Sequence, residues 1–244
     1  MTASIDDTKR KIELLLAKAA GTDNDAERDA FTAKAEAMMV KWGIEEAELQ
    51  SRGEVKPEEI VEVRRVYTGN YSIAFLPFVS RVTGAYGNLR HLQSNLSGSR
   101  RMAYIIGHKT DVEFVTTLLD SLEAQAKAAL HAWQKQSSLV DMRGWEHVKA
   151  SRAFIDEFGI TVARRLRATR EQATAEVVVS SGAELVLASK AQRVEAQVAT
   201  WYPKLGKARG GMEYSSYGRA AGREAGQKAS LGGKALGQTK GIER

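Results

Sequence analysis

The sequence predicts an α+β protein, because the spacing of its apolar residues changes twice along the 244 residues. Apolar residues recur three and four apart near the N-terminus, alternate with polar ones after Lys56, and return to helical spacing beyond Met142. We expect a helical hairpin, a small three-stranded sheet with covering helices, and long C-terminal helices. The predicted segments are a helical domain at 1–56, a β-α-β-β-α domain at 57–138, helices at 139–203 and a basic Gly/Ala-rich tail at 204–244.

The first segment is predicted to pair two helices in antiparallel fashion. One apolar stripe of helical spacing comprises Ile12, Leu15, Leu16 and Ala19. Gly21 ends this helix, and Asn24 begins the next one, at capping-box distance from Glu27. Gly43 stands at the C-cap position, so residues 44–50 are expected to form a short third helix.

The middle segment alternates strands and helices. Strands are predicted at 56–67, 88–94 and 99–108, and helices at 72–87 and 109–137. Gly98 suits the turn of a hairpin between the second and third strands. Thr110 and Glu113 have capping-box spacing at the start of the second helix. His108 and Asp111 meet at the same junction, where a capping or turn role is favoured over a proton relay.

The back half is predicted to be helical at 142–172 and again at 183–203, where Pro203 stops the helix. Four arginines crowd the expected end of the first of these helices: Arg164, Arg165, Arg167 and Arg170. Cations near a helix C-terminus interact favourably with the helix dipole, by about 0.3–1 kcal/mol each. The cluster therefore fits helix stabilisation and a nucleic-acid phosphate contact equally well.

The tail contains glycines four residues apart, at Gly218, Gly222 and Gly226. Each interior glycine costs a helix roughly 1 kcal/mol relative to alanine, so an isolated helix here is marginal. The same spacing leaves a face without side chains, which another helix can approach closely. We therefore predict that the tail from Tyr214 is a helix when bound and frayed when alone, with a helix of the body or of a partner on its glycine face. A plain flexible tail is the alternative.

Charge is distributed unevenly along the chain. Residues 1–62 hold 9 Lys/Arg against 15 Asp/Glu, residues 63–202 hold 18 against 12, and residues 203–244 hold 9 against 3. An acidic head with a basic body and tail favours contact with a polyanion or an acidic protein surface. Attraction between head and tail, within one molecule or between copies, explains the pattern as well.

The usual motifs of catalysis are missing from the sequence. It has no cysteine, and none of its four histidines belongs to an H-E-x-x-H pair. The glycines at 232–241 lack both a preceding strand and a Ser or Thr after Lys234, so they do not form a phosphate loop. We expect a non-enzymatic protein without metal, cofactor or small-molecule substrate. No apolar run suits a secretory signal or a membrane span, which predicts a cytoplasmic protein.

Two resemblances add to this interpretation. Residues 11–49, "KIELLLAKAAG" through "KWGIEEAEL", resemble the N-terminal helical domain of a phage and actinobacterial family of unknown function. "YIIGHKTDVEFVTTLLDSL" and "GRAAGREAG" resemble later parts of the same proteins. Overall length and layout also resemble the recombination directionality factors of Streptomyces phages. That resemblance implies a protein that binds a large serine integrase on DNA and switches site-specific recombination from integration to phage excision, in the cytoplasm of the host bacterium.

The candidate contact residues follow from the tail and from the arginine cluster. The predicted partner-binding residues are Tyr214, Tyr217, Arg219, Arg223 and Lys228, because Tyr and Arg are enriched in binding hot spots. Arg164, Arg165, Arg167 and Arg170 are the candidate nucleic-acid contacts. Two alternatives remain: a DNA-binding protein that acts alone, and an enzyme domain of unrecognised type. The sequence leaves the oligomeric state open.

Overall fold

A computed structural model confirms the α+β class. It describes residues 5–22, 24–51, 56, 58–136, 144–178, 183–206 and 216–231. Within these ranges the chain forms seven helices and three strands. The helices are α1 (Ile5–Gly21), α2 (Asp25–Ser51), α3 (Ser72–Gly84), α4 (Lys109–Gln136), α5 (Trp145–Val178), α6 (Ala183–Trp201) and α7 (Arg219–Lys228); the strands are β1 (Ile60–Tyr67), β2 (Arg90–Asn95) and β3 (Arg101–His108).

The three strands form one antiparallel sheet in the order β1-β3-β2. β1 pairs with β3 from Ile60 opposite His108 to Tyr67 opposite Arg101. β2 and β3 form the predicted hairpin. Side chains alternate across a strand, so Val61 and Val63 lie on one face, termed the inner face, and Ile60 lies on the other, the outer face.

The inner face packs against α3 and α4, with α5 and α7 behind them. One buried cluster runs from Tyr67 on β1 to Leu231 after α7. α3 and α5 meet closely because Gly159 has no side chain: a Cβ there would lie 2.8 Å from the Phe78 ring. Residues from the predicted middle, C-terminal and tail segments thus share one core.

The head departs from its prediction at Gly43. α2 continues as one helix to Ser51, so Gly43 is not a C-cap and residues 44–50 do not form a separate helix. Gly43 is buried, and α2 packs along both α5 and α6. Tertiary packing on two neighbouring helices outweighs the modest local preference of glycine for a helix end.

Two predicted capping boxes also differ from the structure. The Asn24 side chain caps α2 by accepting the N–H groups of Ala26 and Glu27, but Glu27 binds the Thr22 hydroxyl instead of returning to Asn24. α4 starts directly after β3, so Thr110 lies within its first turn. The N–H of Thr110 donates to the Glu58 carboxylate at 2.6 Å, which replaces a local cap by one distant in sequence.

Candidate partner-binding site

The glycine-punctuated segment is a helix seated on the body of its own chain. A Cβ on Gly218 would lie 2.4 Å from the carbonyl oxygen of Ala150, and one on Gly222 would lie 2.3 Å from that of Phe154. Gly226 is also close to α5, since a Cβ there would lie 2.8 Å from Cβ of Thr161. Successive glycines of the segment meet successively later residues of α5, so α7 runs parallel to α5. The expected close packing is therefore present within the chain, and Arg219–Lys228 is helical without a partner instead of frayed.

The end of α7 is anchored by side chains of the body. The Arg165 guanidinium donates to the carbonyl oxygens of Gly226 and Ala229, at 2.9 and 2.8 Å. Gln125 of α4 accepts the N–H of Ser230 and donates to its carbonyl oxygen. Because Ala229 is itself buried in the main core, α7 forms part of the fold and is not an appended tail.

The line of contact between α5 and α7 is termed the seam. The predicted partner-binding residues lie around it, apart from Tyr214, which is outside the described residues. Tyr217 precedes α7 and places its ring 6.0 Å from that of Trp133, with more than a third of its side chain exposed. Arg219 and Arg223 both approach the buried carboxylate of Glu157 on α5, at 3.9 and 3.1 Å. The shared carboxylate fixes the two guanidinium groups on one side of the seam.

Lys228 is the last residue of α7, five residues or about 1.4 helical turns beyond Arg223, and it is exposed. It forms an i,i+4 ion pair with Glu224 at 2.6 Å, and both side chains are largely exposed. A fully exposed pair of this kind is weak, so it orients Lys228 without holding it strongly.

Two of the four arginines of α5 make contacts within the molecule, and the other two are exposed. α5 continues to Val178, so these residues are not at its end, and the dipole explanation is wrong. Arg165 holds α7, and Arg170 stacks on Tyr86 with its guanidinium carbon 4.5 Å from the ring centroid. Arg164 and Arg167 are exposed. Arg164 follows Glu157 by seven residues, two helical turns, and therefore shares the side of the seam where Arg219 and Arg223 lie.

The junction between β3 and α4 contains a buried polar cluster. His108 is fully buried, and neither of its ring nitrogens has a hydrogen-bond partner, so it forms no relay with Asp111 and caps no helix. Asp111 instead accepts the Asn88 amide at 2.6 Å and lies 3.6 Å from the ammonium group of Lys190. Burial, reinforced by the positive charge of Lys190, lowers the pKa of His108. His108 is therefore a neutral residue of the interior at neutral pH.

Lys190 is the member of this cluster that sequence reasoning missed. It is almost fully buried on α6, and its ammonium group lies 5.9 Å from the Trp42 ring centroid of α2. The residue thus connects the head with the start of α4. A signal was present, because Lys190 continues the buried stripe of Val194 and Val198 at a spacing of four.

Beside this cluster lies a shallow open groove of about 400 Å³ between β1 and α6, lined by Glu58, Ile60, Arg193, Ala196, Gln197 and Thr200. The Arg193 guanidinium donates to the backbone oxygen of Glu58 across one end of it. Across the described ranges, no three His, Asp or Glu side chains come together as a metal site would require. No helix in the described part of the chain has both the length and the apolar character to cross a bilayer.

Comparison with known proteins identifies one matching family. Residues 7–46 match a family described as a protein of unknown function (DUF2786). The match covers α1 and most of α2, and it supports the resemblance of the head to a family of unknown function. No curated protein matches the chain, and no solved structure matches it either.

Proposed function

We propose that this chain is a non-enzymatic phage accessory protein that binds a large serine integrase and switches it from integration to excision. The proposal rests on the resemblance in length and layout to recombination directionality factors. One structural observation supports it most: the seated helix α7 presents Arg219, Arg223 and Lys228 at the surface in a fixed pattern beside Tyr217. The site of action would be the cytoplasm of the host bacterium, where the integrase meets DNA.

Redirecting an integrase requires a surface that fixes how one module of the partner sits. A helix that is already ordered loses little conformational entropy on binding, so more of the contact energy appears as affinity. Tyr217 and the two arginines belong to the residue types that dominate binding hot spots. Arg223 and Lys228 also keep much of their side-chain surface exposed for such a contact.

DNA near the bound integrase supplies a second contact in this proposal. Arg164 and Arg167 are exposed on α5, and Arg164 lies on the same side as the basic residues of α7. Phosphate contacts release counterions, so their share of the affinity falls as salt rises. The same two residues favour the second candidate function, a protein that binds DNA alone.

Recombination in vitro tests the proposal directly. Purified protein, its cognate integrase and plasmids carrying the two hybrid attachment sites are mixed over a range of protein concentrations. We expect excision to rise well above the level with integrase alone. No rise, with an integrase that is active on its integration sites, would refute the proposal. A gel shift with bare DNA then decides whether the chain binds DNA by itself.

A paired variant links the activity to α7. Replacing Arg223 and Lys228 together by Gln removes two exposed charges and should reduce the stimulation of excision at least about tenfold, the equivalent of 1.4 kcal/mol. Replacing Lys109 and Lys135 of α4 by Gln removes the same charge elsewhere and serves as the matched control. Equal excision by both double variants would show that α7 is not the contact.

A further inference from the structure

α6 covers only part of the outer face of the sheet. Val194 and Val198 pack on Ile106, and α6 ends at Trp201, just before Tyr202, whose ring meets the Tyr104 ring edge-on at 6.0 Å. Further along β1, on the same face, the Val66 side chain is 47 % exposed. Val66 is thus an exposed apolar side chain on the part of the outer face beyond Tyr104.

The chain that leaves α6 adds further apolar surface at this place. Trp201 and Leu205 flank Tyr202 and are 41 % and 47 % exposed. Together with the sheet they define what we term the outer sheet surface: Arg64, Val66, Tyr104, Trp201, Lys204 and Leu205. Trp201 and Leu205 lie within three residues of Tyr202, and Val66 lies two residues beyond Arg64 on β1, so exposed apolar side chains border the contact between Tyr202 and Tyr104. Grouped apolar exposure of this kind is typical of an interaction surface.

The polar side chains of this surface are held in place. The Tyr202 hydroxyl donates to Glu62, and the Arg64 guanidinium donates to the same carboxylate at 2.6 Å. Arg64 also lies over the Tyr104 ring, with its guanidinium carbon 5.6 Å from the centroid. Burial and the bond to Glu62 raise the pKa of Tyr202 to about 12, so the hydroxyl remains a donor.

Charge identifies the kind of partner. Arg64 and Lys204 border the apolar residues, and Arg100 precedes β3 at the hairpin end of the same sheet. The carboxylate found among them, Glu62, is largely buried and bound by Arg64 and Tyr202. The described surface therefore has an apolar centre with a positively charged border. Its complement is an apolar stripe flanked by carboxylates, whereas phosphates would leave Val66 and Leu205 without apolar contacts.

We propose that the outer sheet surface is a second docking surface, and that it binds an acidic amphipathic segment of the integrase. This inference rests on the proposed function. α7 lies on the inner side of the sheet, where it packs on α5 and α4, so the two surfaces face different ways. One molecule can then contact two modules of the integrase at once, and two linked contacts hold a partner more tightly than either alone.

Two exposed positions test the surface, each with a matched control elsewhere. Trp201→Ala is compared with Trp145→Ala on α5, and Leu205→Asp with Leu14→Asp on α1; both control side chains are just over half exposed. Integrase binding is measured by calorimetry at low and high salt. Unchanged circular dichroism and unfolding midpoints establish that each variant is folded.

We expect Trp201→Ala and Leu205→Asp to weaken integrase binding at least about tenfold, and both controls to bind as the wild type does. Lys204→Glu should weaken binding more at low salt than at high salt, because the attraction is screened. If the wild type binds and both outer variants bind equally well, the docking surface is wrong and the proposed function stands. If the wild type does not bind the integrase, both the docking surface and the proposed function are refuted. Loss of bare-DNA binding alone would assign the surface to nucleic acid and overturn the inference.

Discussion

Gly222 illustrates how one residue can reverse a general preference. In an isolated helix, Gly→Ala stabilises by roughly 1 kcal/mol. Here a Cβ would lie 2.3 Å from the carbonyl oxygen of Phe154, which belongs to the backbone and cannot turn away. We expect Gly222→Ala to lower the free energy of unfolding by about 1–3 kcal/mol, the usual cost of overpacking. Urea denaturation measures the change.

Gly84 provides the matched control for that substitution. It is the last residue of α3, and a Cβ there meets nothing within 4 Å. Gly84→Ala should leave stability unchanged or raise it slightly. If Gly222→Ala were as stable as Gly84→Ala, α7 would not be seated on α5 in solution.

Because His91 is partly buried, we expect the free energy of unfolding to fall in mild acid. Burial, with a smaller contribution from Arg90, lowers its pKa from 6.5 to about 4. Between these values the unfolded chain binds a proton that the folded chain does not, so the free energy of unfolding falls as pH falls from 6.5 towards 4. The loss amounts to about 3 kcal/mol at most, since one pKa unit corresponds to 1.36 kcal/mol.

Unfolding midpoints between pH 7 and pH 4 test this effect. His91→Gln should flatten the pH dependence, whereas His131→Gln, at an exposed position on α4, should leave it unchanged. The buried His108, whose pKa is also lowered by burial, keeps part of the slope in both variants. A slope that His91→Gln does not reduce would contradict the prediction.

The residues of the candidate site were only partly predictable from sequence. Glycines four apart predicted a close approach by another helix, but that helix was not identifiable, because a spacing pattern carries no information about a neighbour 68 residues away, as Phe154 is from Gly222. Arg165 and Arg164 are adjacent in sequence, yet one anchors α7 and the other is exposed. The difference depends on the angular position of each residue on α5 relative to α7.

At the scale of elements, α7 depends on Arg165 for its C-terminal end. The guanidinium satisfies two backbone carbonyls that a helix end leaves without intrahelical donors. Arg165→Met keeps much of the apolar stem and removes these bonds, which at about 1.5–3 kcal/mol for a charged donor should let the last turn of α7 open. Amide exchange across residues 219–231 should accelerate by at least about tenfold.

Arg164→Met is the control for this element. It removes the same charge from the neighbouring, exposed position on α5 and should leave amide exchange in α7 unchanged. Equal exchange in the two variants would mean that the glycine seam alone holds α7.

Elements were predicted well where periodicity is local and less well where packing decides their ends. The strands and helices of the middle segment appear in the expected order, because alternation and helical spacing are properties of short stretches. α2 passes through Gly43 because it packs on α5 and α6, and α5 continues to Val178 past its arginines. Long-range packing, which outweighs weak local signals, is not visible in a window of a few residues.

At the scale of the molecule, one continuous core joins parts that the sequence divides. The buried cluster of the inner face includes Tyr67 of β1, Phe158 of α5 and Leu231 after α7. The acidic head is held to this body through α2, which packs on α5 and α6, and through Lys190 beneath Trp42. Two basic residues of the tail are also used within the molecule, because Arg219 and Arg223 pair with Glu157 of the body.

This continuity changes what a truncation would show. If the tail were an appended binding segment, a chain ending at Gly211 would lose partner binding and keep its head and middle folded. In the structure such a chain lacks α7, Ala229 and Leu231, so the face of α5 at Phe154 and Phe158 loses its cover. A truncation at Gly211 therefore cannot separate binding from folding, and substitutions on the exposed side of α7 are the better test.

We expect a chain ending at Gly211 to unfold at a clearly lower urea concentration than the full chain, or to lack a cooperative transition. Burying a large apolar side chain contributes about 1.5–3 kcal/mol. Exposing several of them therefore removes a large part of the roughly 5–15 kcal/mol free energy of unfolding that is typical of a domain. A chain ending at Leu231 keeps every described contact of α7 and is the control, with a midpoint close to that of the full chain. Tryptophan fluorescence and circular dichroism should report one coincident transition for it, because Trp133 lies against Phe154 and Tyr217 within the shared core. If the chain ending at Gly211 matched the one ending at Leu231 in midpoint and cooperativity, α7 would be an accessory element, and its docking on α5 would contribute nothing to the fold.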